Sequence, residues 1–419
     1  MNWGRYSKAR AAAVAIGCLM IICAGSRSDE PAAPPQGVPA SRLARLTRGL
    51  NLSMWFAQLP PDEKRYKSHV TADDLRLIQQ MGFRYVRVPV DPEALIVAGK
   101  PAELNAKHLA LLDEALDKIA AAGLAVIVCP YFNDEPKFRL FTDRAWAEGF
   151  VRFSETFAAH LARRSPETVF IQVLNEPSID NQRAWDVLQA VVAARIRKAA
   201  PRHTIIASSN MRAGGRWNLI AGFVSGQPLQ DRNVVYDFHF YDPVQFTHQS
   251  ANWMMWQIHN YKNIPYPSSP EIMAPLLASI AEGGPRAYAR LYGLERWNRQ
   301  RLQRQIQPAV DWARRHKVAL LCGEFGCFGR FAPPADRNRY LKDVREILES
   351  QGIGWAMWDY CSEFGVLNEK DGKRLIDTET AAALGASVPK GAAVLSPAVA
   401  ASQPASASSP ATQPARGGQ

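Results

Sequence analysis

The chain of 419 residues has little cysteine, and the little it has is placed so as to exclude the common metal frameworks. Of six cysteines, Cys18 and Cys23 lie in the first 26 residues, while Cys129, Cys322, Cys327 and Cys361 fall in or just after expected strands. Cys322 and Cys327 have neither a second cysteine pair nor nearby histidines, so no zinc spacing is present. No metal and no cofactor are expected. Long apolar runs are also missing. The longest, Ala11 to Cys23, is shorter than the roughly 20 residues a membrane span needs, which argues against stable membrane insertion. Dense basic runs interleaved with aromatics are absent too. The 50 Lys and Arg against 39 Asp and Glu are spread along helical stretches such as 286–317, so nucleic acid is not an expected partner.

What is present begins with two unusual ends. Residues 1–26 carry Arg5, Lys8 and Arg10, then the apolar run, then Ala24-Gly25-Ser26, the layout of a cleavable secretory signal. Ile22 before Cys23 argues against lipid attachment there. Export to the periplasm or the medium is expected, and cleavage would lower the formal charge from +11 to +8 by removing three cations. A Pro/Ala-rich linker spans 27–44, and 386–419 is an Ala/Ser/Pro-rich tail too poor in large apolar residues to offset its ordering entropy. Tethering to a surface through linker or tail stays open. Cys327 and Cys361 follow neighbouring strands and are the pair to test for a disulfide; buried free thiols are the other reading.

Between the ends, residues 45–385 alternate. Short apolar runs occur at 47–53, 84–90, 124–130, 168–174, 204–208, 234–241, 318–325 and 353–358. Helical spacings separate most of them, as in Leu109, Leu112, Leu116 and Ile119 with Gly123 as a stop, or Phe150, Phe153, Phe157 and Leu161. Unbroken apolar runs are what strands buried on both faces look like, and eight of them alternating with helices point to an α/β fold, a closed (β/α)8 TIM barrel. The unit around 204–230 is the least regular. The stretch 242–284 is too long for an ordinary connection and reads as an elaborated loop region after strand 6.

Barrel enzymes build their sites at the carboxyl ends of the strands. Here that rim offers Asn51 and Trp55 after strand one, Arg87 at strand two, Tyr131 and Asn133 after strand three, and Asn175 and Glu176 after strand four. It continues with His239 and Tyr241 at strand six, Glu324 at strand seven and Trp358 at strand eight. Each alone is commonly a packing or surface residue; their shared position is what points to a site. Glu176 and Glu324 lie 148 positions apart, and a barrel that brings them together forms the carboxylate pair of glycoside hydrolysis.

With Asn175-Glu176-Pro177, Gly323-Glu324-Phe325-Gly326 and His239-Phe240-Tyr241 in this order, the chain resembles glycoside hydrolase family 5, the cellulase family, over roughly 45–385. The resemblance implies a retaining mechanism, with Glu324 as nucleophile and Glu176 as acid/base. Such roles call for a raised pKa at Glu176 and a low one at Glu324. Arg87 and the Tyr241 hydroxyl suit the task of holding Glu324 ionised, His239 can tune either carboxyl, and Asn175 can reach a sugar 2-hydroxyl. Trp358 offers a flat face, and Trp55, Trp253 and Trp256 are candidates for neighbouring subsites. One departure stands out: Tyr131 occupies the end of strand three, where the family usually has histidine. The expected partner is a polysaccharide or oligosaccharide, a β-linked glucan first, and the expected state is a monomer. A glycan-binding barrel without activity, a β-mannanase and an exo-β-glucosidase are the alternatives. A lyase or aldolase would want a lysine or metal ligands at the strand ends.

Overall fold

The computed structural model describes residues 37–395, save 213–219, 221 and 223–225. The expected signal sequence, most of the linker and the tail beyond 395 lie outside the described residues, as does much of the irregular unit around 204–230. Eight parallel strands close into a barrel: β1 (Arg48–Asn51), β2 (Tyr85–Val90), β3 (Ala125–Pro130), β4 (Val169–Gln172), β5 (Ile205–Ser208), β6 (Val234–Phe240), β7 (Ala319–Phe325) and β8 (Gly354–Met357). Each pairs with its neighbours in chain order, and β8 closes on β1 through Arg48–Trp355, Gly49–Ala356 and Leu50–Met357. All eight fall within the apolar runs of the sequence.

The two-residue alternation of a strand separates two environments. Val86, Val88, Val126, Val128, Ile171 and Phe238 point outward and join the main core beneath the helices. Tyr85, Ile127, Phe170, Ile206, Val235, Leu321 and Ala356 point inward and fill the lower barrel with Leu46. Gly49 is required there, because a Cβ would run into the Tyr85 ring. The helices read from periodicity are present at Ala106–Ala121, Arg144–Leu161, Gln182–Ala199 and Pro334–Ser350. Asn105, Asp143 and Asn181 cap the first three by accepting backbone N–H bonds, and Gly123 ends the first at φ 75°. Phe150, Phe153, Phe157 and Leu161 are all buried, each worth about 1.5–3 kcal/mol of burial.

Three features depart from expectation. Residues 40–44, assigned to the linker, form a helix with Arg45 (Ala40–Arg45) across the amino ends of the strands, where Arg42 bonds Glu167, Arg202 O and Thr204. Nor does order stop at 385: Leu395 is buried and its N–H bonds Ile376 O, within a region carrying the hairpin Leu367–Lys370/Lys373–Ile376. The elaboration after β6 runs further than 284, through helices Pro270–Leu277 and Gly284–Leu294 before the packing helix Arg299–His316. All four described cysteines are free thiols, Cys327 buried and Cys361 beside Arg374. Among the described residues no helix is long and apolar enough to cross a membrane.

Candidate active site

One pleat above the apolar plug the barrel interior turns polar. Arg87 on β2 is fully buried and all five of its N–H donors are used. Nε donates to Gln172 (2.8 Å), Nη1 to Asn51 (2.9 Å) and Glu324 (2.6 Å), and Nη2 to Asn175 (2.8 Å) and the Cys129 sulfur (3.2 Å). Burial lifts the Cys129 thiol to about 12, so it meets the guanidinium as a neutral group. Asn51 is itself fixed by donating to Gly323 O and Met357 O. A buried cation is tolerated only when paired and bonded in this way.

Glu324 reaches the mouth of the barrel through a β-bulge. β6 and β7 pair Phe238 with Cys322 and then His239 with Glu324, so β7 carries one extra residue, Gly323, at this level. Alternation alone would have turned Glu324 outward after the inward Leu321 and Gly323; the bulge re-aims it. Arg87 bonds its Oε1 and the Tyr241 hydroxyl donates to Oε2 at 2.9 Å. Burial and the charge of Tyr241's acceptor keep that phenol protonated, its pKa well above the ordinary value.

Glu176 lies just past β4 on backbone with φ 43°, a left-handed conformation uncommon for a side chain of this size. His239 Nδ1 sits 2.8 Å from its Oε1 and 3.4 Å from Glu324 Oε2, while His239 Nε2 sits 3.4 Å from Asp237. Ligand-type atoms of Glu176, His239 and Glu324 all lie within 4.8 Å of one another. Arg87 and Tyr241 already occupy the Glu324 oxygens, so the trio is held as a hydrogen-bonded set rather than as a cage for a cation.

The charges in this set oppose the sequence expectation. Burial pushes Glu176 up, but the hydrogen bond and charge of His239, helped by Lys137 and Arg87, bring it down to about 2. Glu324 is raised by burial and by Glu176, against the pull of His239, Arg87 and Tyr241. His239 is pulled down by burial yet held up at about 10 by Glu324, Asp237 and Glu176. The physical reason is position. The imidazole stands closer to Glu176 than to Glu324, so its proton serves Glu176 first.

The structure gathers Arg87, Asn175, Glu176, His239, Tyr241 and Glu324 into this one network. Asn175 accepts from Arg87 through Oδ1, which leaves its buried Nδ2 without a hydrogen-bond partner and free to donate. Trp358 follows β8 and is partly buried, its backbone N–H bonded to Phe325 O. Tyr131 stands at the end of β3 with Lys137 Nζ 5.3 Å above its ring. Trp253 is 47% exposed on the β6 elaboration, edge-on to Phe328 and joined to Tyr241 through the His248 ring. Trp256 is exposed but packs on Gly284. Trp55 is a correction: it is fully buried, donates Nε1 to Tyr66 O and lies tilted against Phe56, so no face is open to a sugar. Four network members were not singled out from sequence for this site: Cys129, Gln172, Asp237 and Lys137. The available signal was inward register, since Asp237 stands two residues before His239 on the same face of β6.

The family model described as Cellulase (glycosyl hydrolase family 5) matches residues 47–364. Endoglucanase C of Acetivibrio thermocellus is 26% identical over 332 residues, covering 77% of this chain and 93% of that protein. Cellodextrinase A of Ruminococcus flavefaciens is 24% identical over 74% of this chain and 83% of its own length. Among solved structures, an endoglucanase superposes with TM-score 0.66 at 20% identity, covering 82% of this chain and 98% of that one. The cellulose synthase subunit Z of Clostridioides difficile superposes at 0.64 with 21% identity, covering 81% and 99%. These structural likenesses concern the fold.

Proposed function

Since the chain belongs to the cellulase family, glycosyl hydrolase family 5, and is thus an O-glycosyl hydrolase, we propose that it cleaves a β-linked glucan by double displacement. The observation that carries this reading is the approach of Glu176 and Glu324, with carboxylate oxygens within 4.8 Å. An approach this near supports a retaining pair, whose carboxyls stand about 5–5.5 Å apart, over an inverting pair, whose carboxyls stand about 6.5–9.5 Å apart with a water between them.

Glu324 attacks the anomeric carbon, aimed by Arg87 and Tyr241. As the new bond forms, Glu324 loses its negative charge, which is the strongest support of the charged imidazole. The proton on His239 Nδ1 then passes along the 2.8 Å hydrogen bond to Glu176 and on to the departing glycosidic oxygen. Nucleophile and acid are coupled through His239: spending charge on one side releases a proton on the other. In the second step Glu176 takes a proton from water, the water oxygen attacks the anomeric carbon, and Glu324 leaves as a carboxylate. The unpartnered Asn175 Nδ2 donates to the 2-hydroxyl, a contact that strengthens in the transition state. Trp358 supports the sugar being cleaved, Trp253 a neighbouring sugar, and Tyr131 a hydroxyl on the leaving side.

The names of the relatives favour an endo-acting β-glucanase. The test is product release by the purified protein from soluble β-glucans, cello-oligosaccharides, mannan and xylan, beside Glu324→Ala. Cleavage of a β-glucan by the wild type alone, with at least about 10⁴-fold loss in the variant, is the expected result. Cleavage of mannan instead would move the substrate class, and near-wild-type activity in the variant would overturn the nucleophile. We also read residues 1–26 as an export signal; secreted protein that still begins at Met1 would refute it.

A further inference from the structure

Asp237 is a carboxylate that the double-displacement scheme does not use. It lies on β6, 1% exposed, inside the barrel and two residues below His239. Its Oδ1 accepts the Gly323 N–H at 2.6 Å, and its Oδ2 accepts Gln172 Nε2 at 2.6 Å and faces His239 Nε2 at 3.4 Å. Gly323 is adapted to it, since a Cβ at that position would collide with the Asp237 carboxylate. The bulge residue that re-aims Glu324 is therefore also the residue that leaves space for Asp237.

The rest of the ring around His239 makes its placement chemically specific. Glu176 faces it from the segment after β4, Glu324 from β7, and Arg87 from β2 through Glu324. Lys137 acts on Glu176 from the helix Asp134–Thr142, and Tyr241 and His248 stand on the segment after β6. Burial keeps His248 neutral, down at about 4, so it adds no charge. Against Glu176, Glu324 and Asp237 stand Arg87 and a charged His239, with Lys137 at the edge.

We propose that Asp237 is a positioning residue for the reaction: it keeps Nε2 of His239 protonated throughout, so that Nδ1 is the atom that exchanges a proton with Glu176. The proposal rests on the double-displacement reading of this site. A neutral imidazole carries one proton, and without an acceptor beneath the ring that proton stays on Nδ1, drawn to the Glu176 carboxylate. Such an imidazole has no proton to spare. With Asp237 accepting from Nε2–H, the Nδ1 proton is the surplus one, and its transfer to Glu176 leaves a neutral imidazole of the correct tautomer. No bond other than N–H and O–H changes, and no proton passes to or from Asp237.

The test is Asp237→Asn, which keeps shape and still accepts the Gly323 N–H. Its amide donates to Nε2, which favours the other tautomer. Imidazole nitrogen NMR, with His239 assigned among the eight histidines by His239→Gln, reads the effect directly. In the wild type His239 should stay doubly protonated to about pH 10, and in Asp237→Asn its titration should fall by at least about one unit. On unactivated glucan the variant should lose at least about tenfold in kcat with little change in KM, and its alkaline limit should move to lower pH. An aryl glycoside with a good leaving group should lose less. An unchanged His239 titration together with an unchanged pH profile would overturn the proposal, even if Asp237→Asn lowers stability, because a brace alone moves neither. The NMR arm needs no turnover, so a wild type that cleaves no glycan would sink the proposed function and still leave Asp237 tested.

Discussion

The lower and upper halves of the barrel interior are built from the same eight strands by opposite means. Below, Tyr85, Ile127, Phe170, Ile206, Val235 and Leu321 fill the space with apolar side chains and Leu46 closes it. A pleat higher on those strands stand Arg87, Cys129, Gln172, Ser208, Asp237 and Gly323. Dispersion and burial hold the lower layer, and its members are exchangeable within limits of volume. In the upper layer each group depends on particular partners: Arg87 has five, and losing one leaves a buried polar group uncompensated. The lesson is a division of labour along each strand, with the amino half supplying stability and the carboxyl half holding charges that would be costly anywhere else.

The comparison breaks most sharply at Glu176. Glu176→Ala leaves the lower layer untouched, removes a partly exposed side chain and should preserve the fold. On unactivated glucan it should cost about 10²–10⁴-fold in rate, and far less on an aryl glycoside whose leaving group needs little protonation. Steady-state kinetics on both substrates checks this, and equal losses on the two would count against the acid/base role. Phe170→Ala should do the reverse. Phe170 is fully buried in the lower layer, and its truncation should cost about 3–5 kcal/mol in urea unfolding while kcat per folded molecule stays near wild type. A large fall in kcat with the fold intact would show that the two halves are not separable.

The same division explains what the sequence revealed. Strands buried on both faces read as unbroken apolar runs, and all eight were legible for that reason. The rim residues were legible because the chain leaves each strand with a polar side chain at a recognisable point. Gln172 and Asp237 were not, because a polar residue within an apolar strand has no meaning until the sheet closes and shows it facing Arg87 or His239. The bulge at Gly323 was hidden likewise, since register is a property of strand pairs. Trp55 misled because position along the chain places it at the rim, whereas the loop after β1 turns it into the core. Asp371-Gly372, both at positive φ, is an ordinary hairpin signal between Leu367–Lys370 and Lys373–Ile376. The helix at Ala40–Arg45 lay behind the prolines that precede it.

The smallest expected effect concerns pH, and it sharpens the comparison by asking what the upper layer contributes to stability. His239 is held up at about 10 in the folded protein, against about 6.5 for an unperturbed imidazole. Its contribution is therefore fully present below about pH 6.5 and lost as pH rises toward 10. Glu176 is held down at about 2 against an ordinary value near 4.5, so its contribution is present above about 4.5 and lost as pH falls toward 2. These are two views of one ion pair and count once. Glu324, raised, works in the same direction as His239 but from about pH 4.5 upward, because its ionisation is disfavoured in the fold. Wild type and His239→Gln should then differ most in urea midpoint between about pH 4.5 and 6.5, and converge toward pH 10 and toward pH 2. The same series in Phe170→Ala should show a constant offset from wild type, since no charge changes in the lower layer. A gap between wild type and His239→Gln that stays flat from pH 5 to 10 would mean that the fold holds no proton on the Glu176–His239 pair beyond those the unfolded chain carries, and the proton assigned to His239 Nδ1 would have no source.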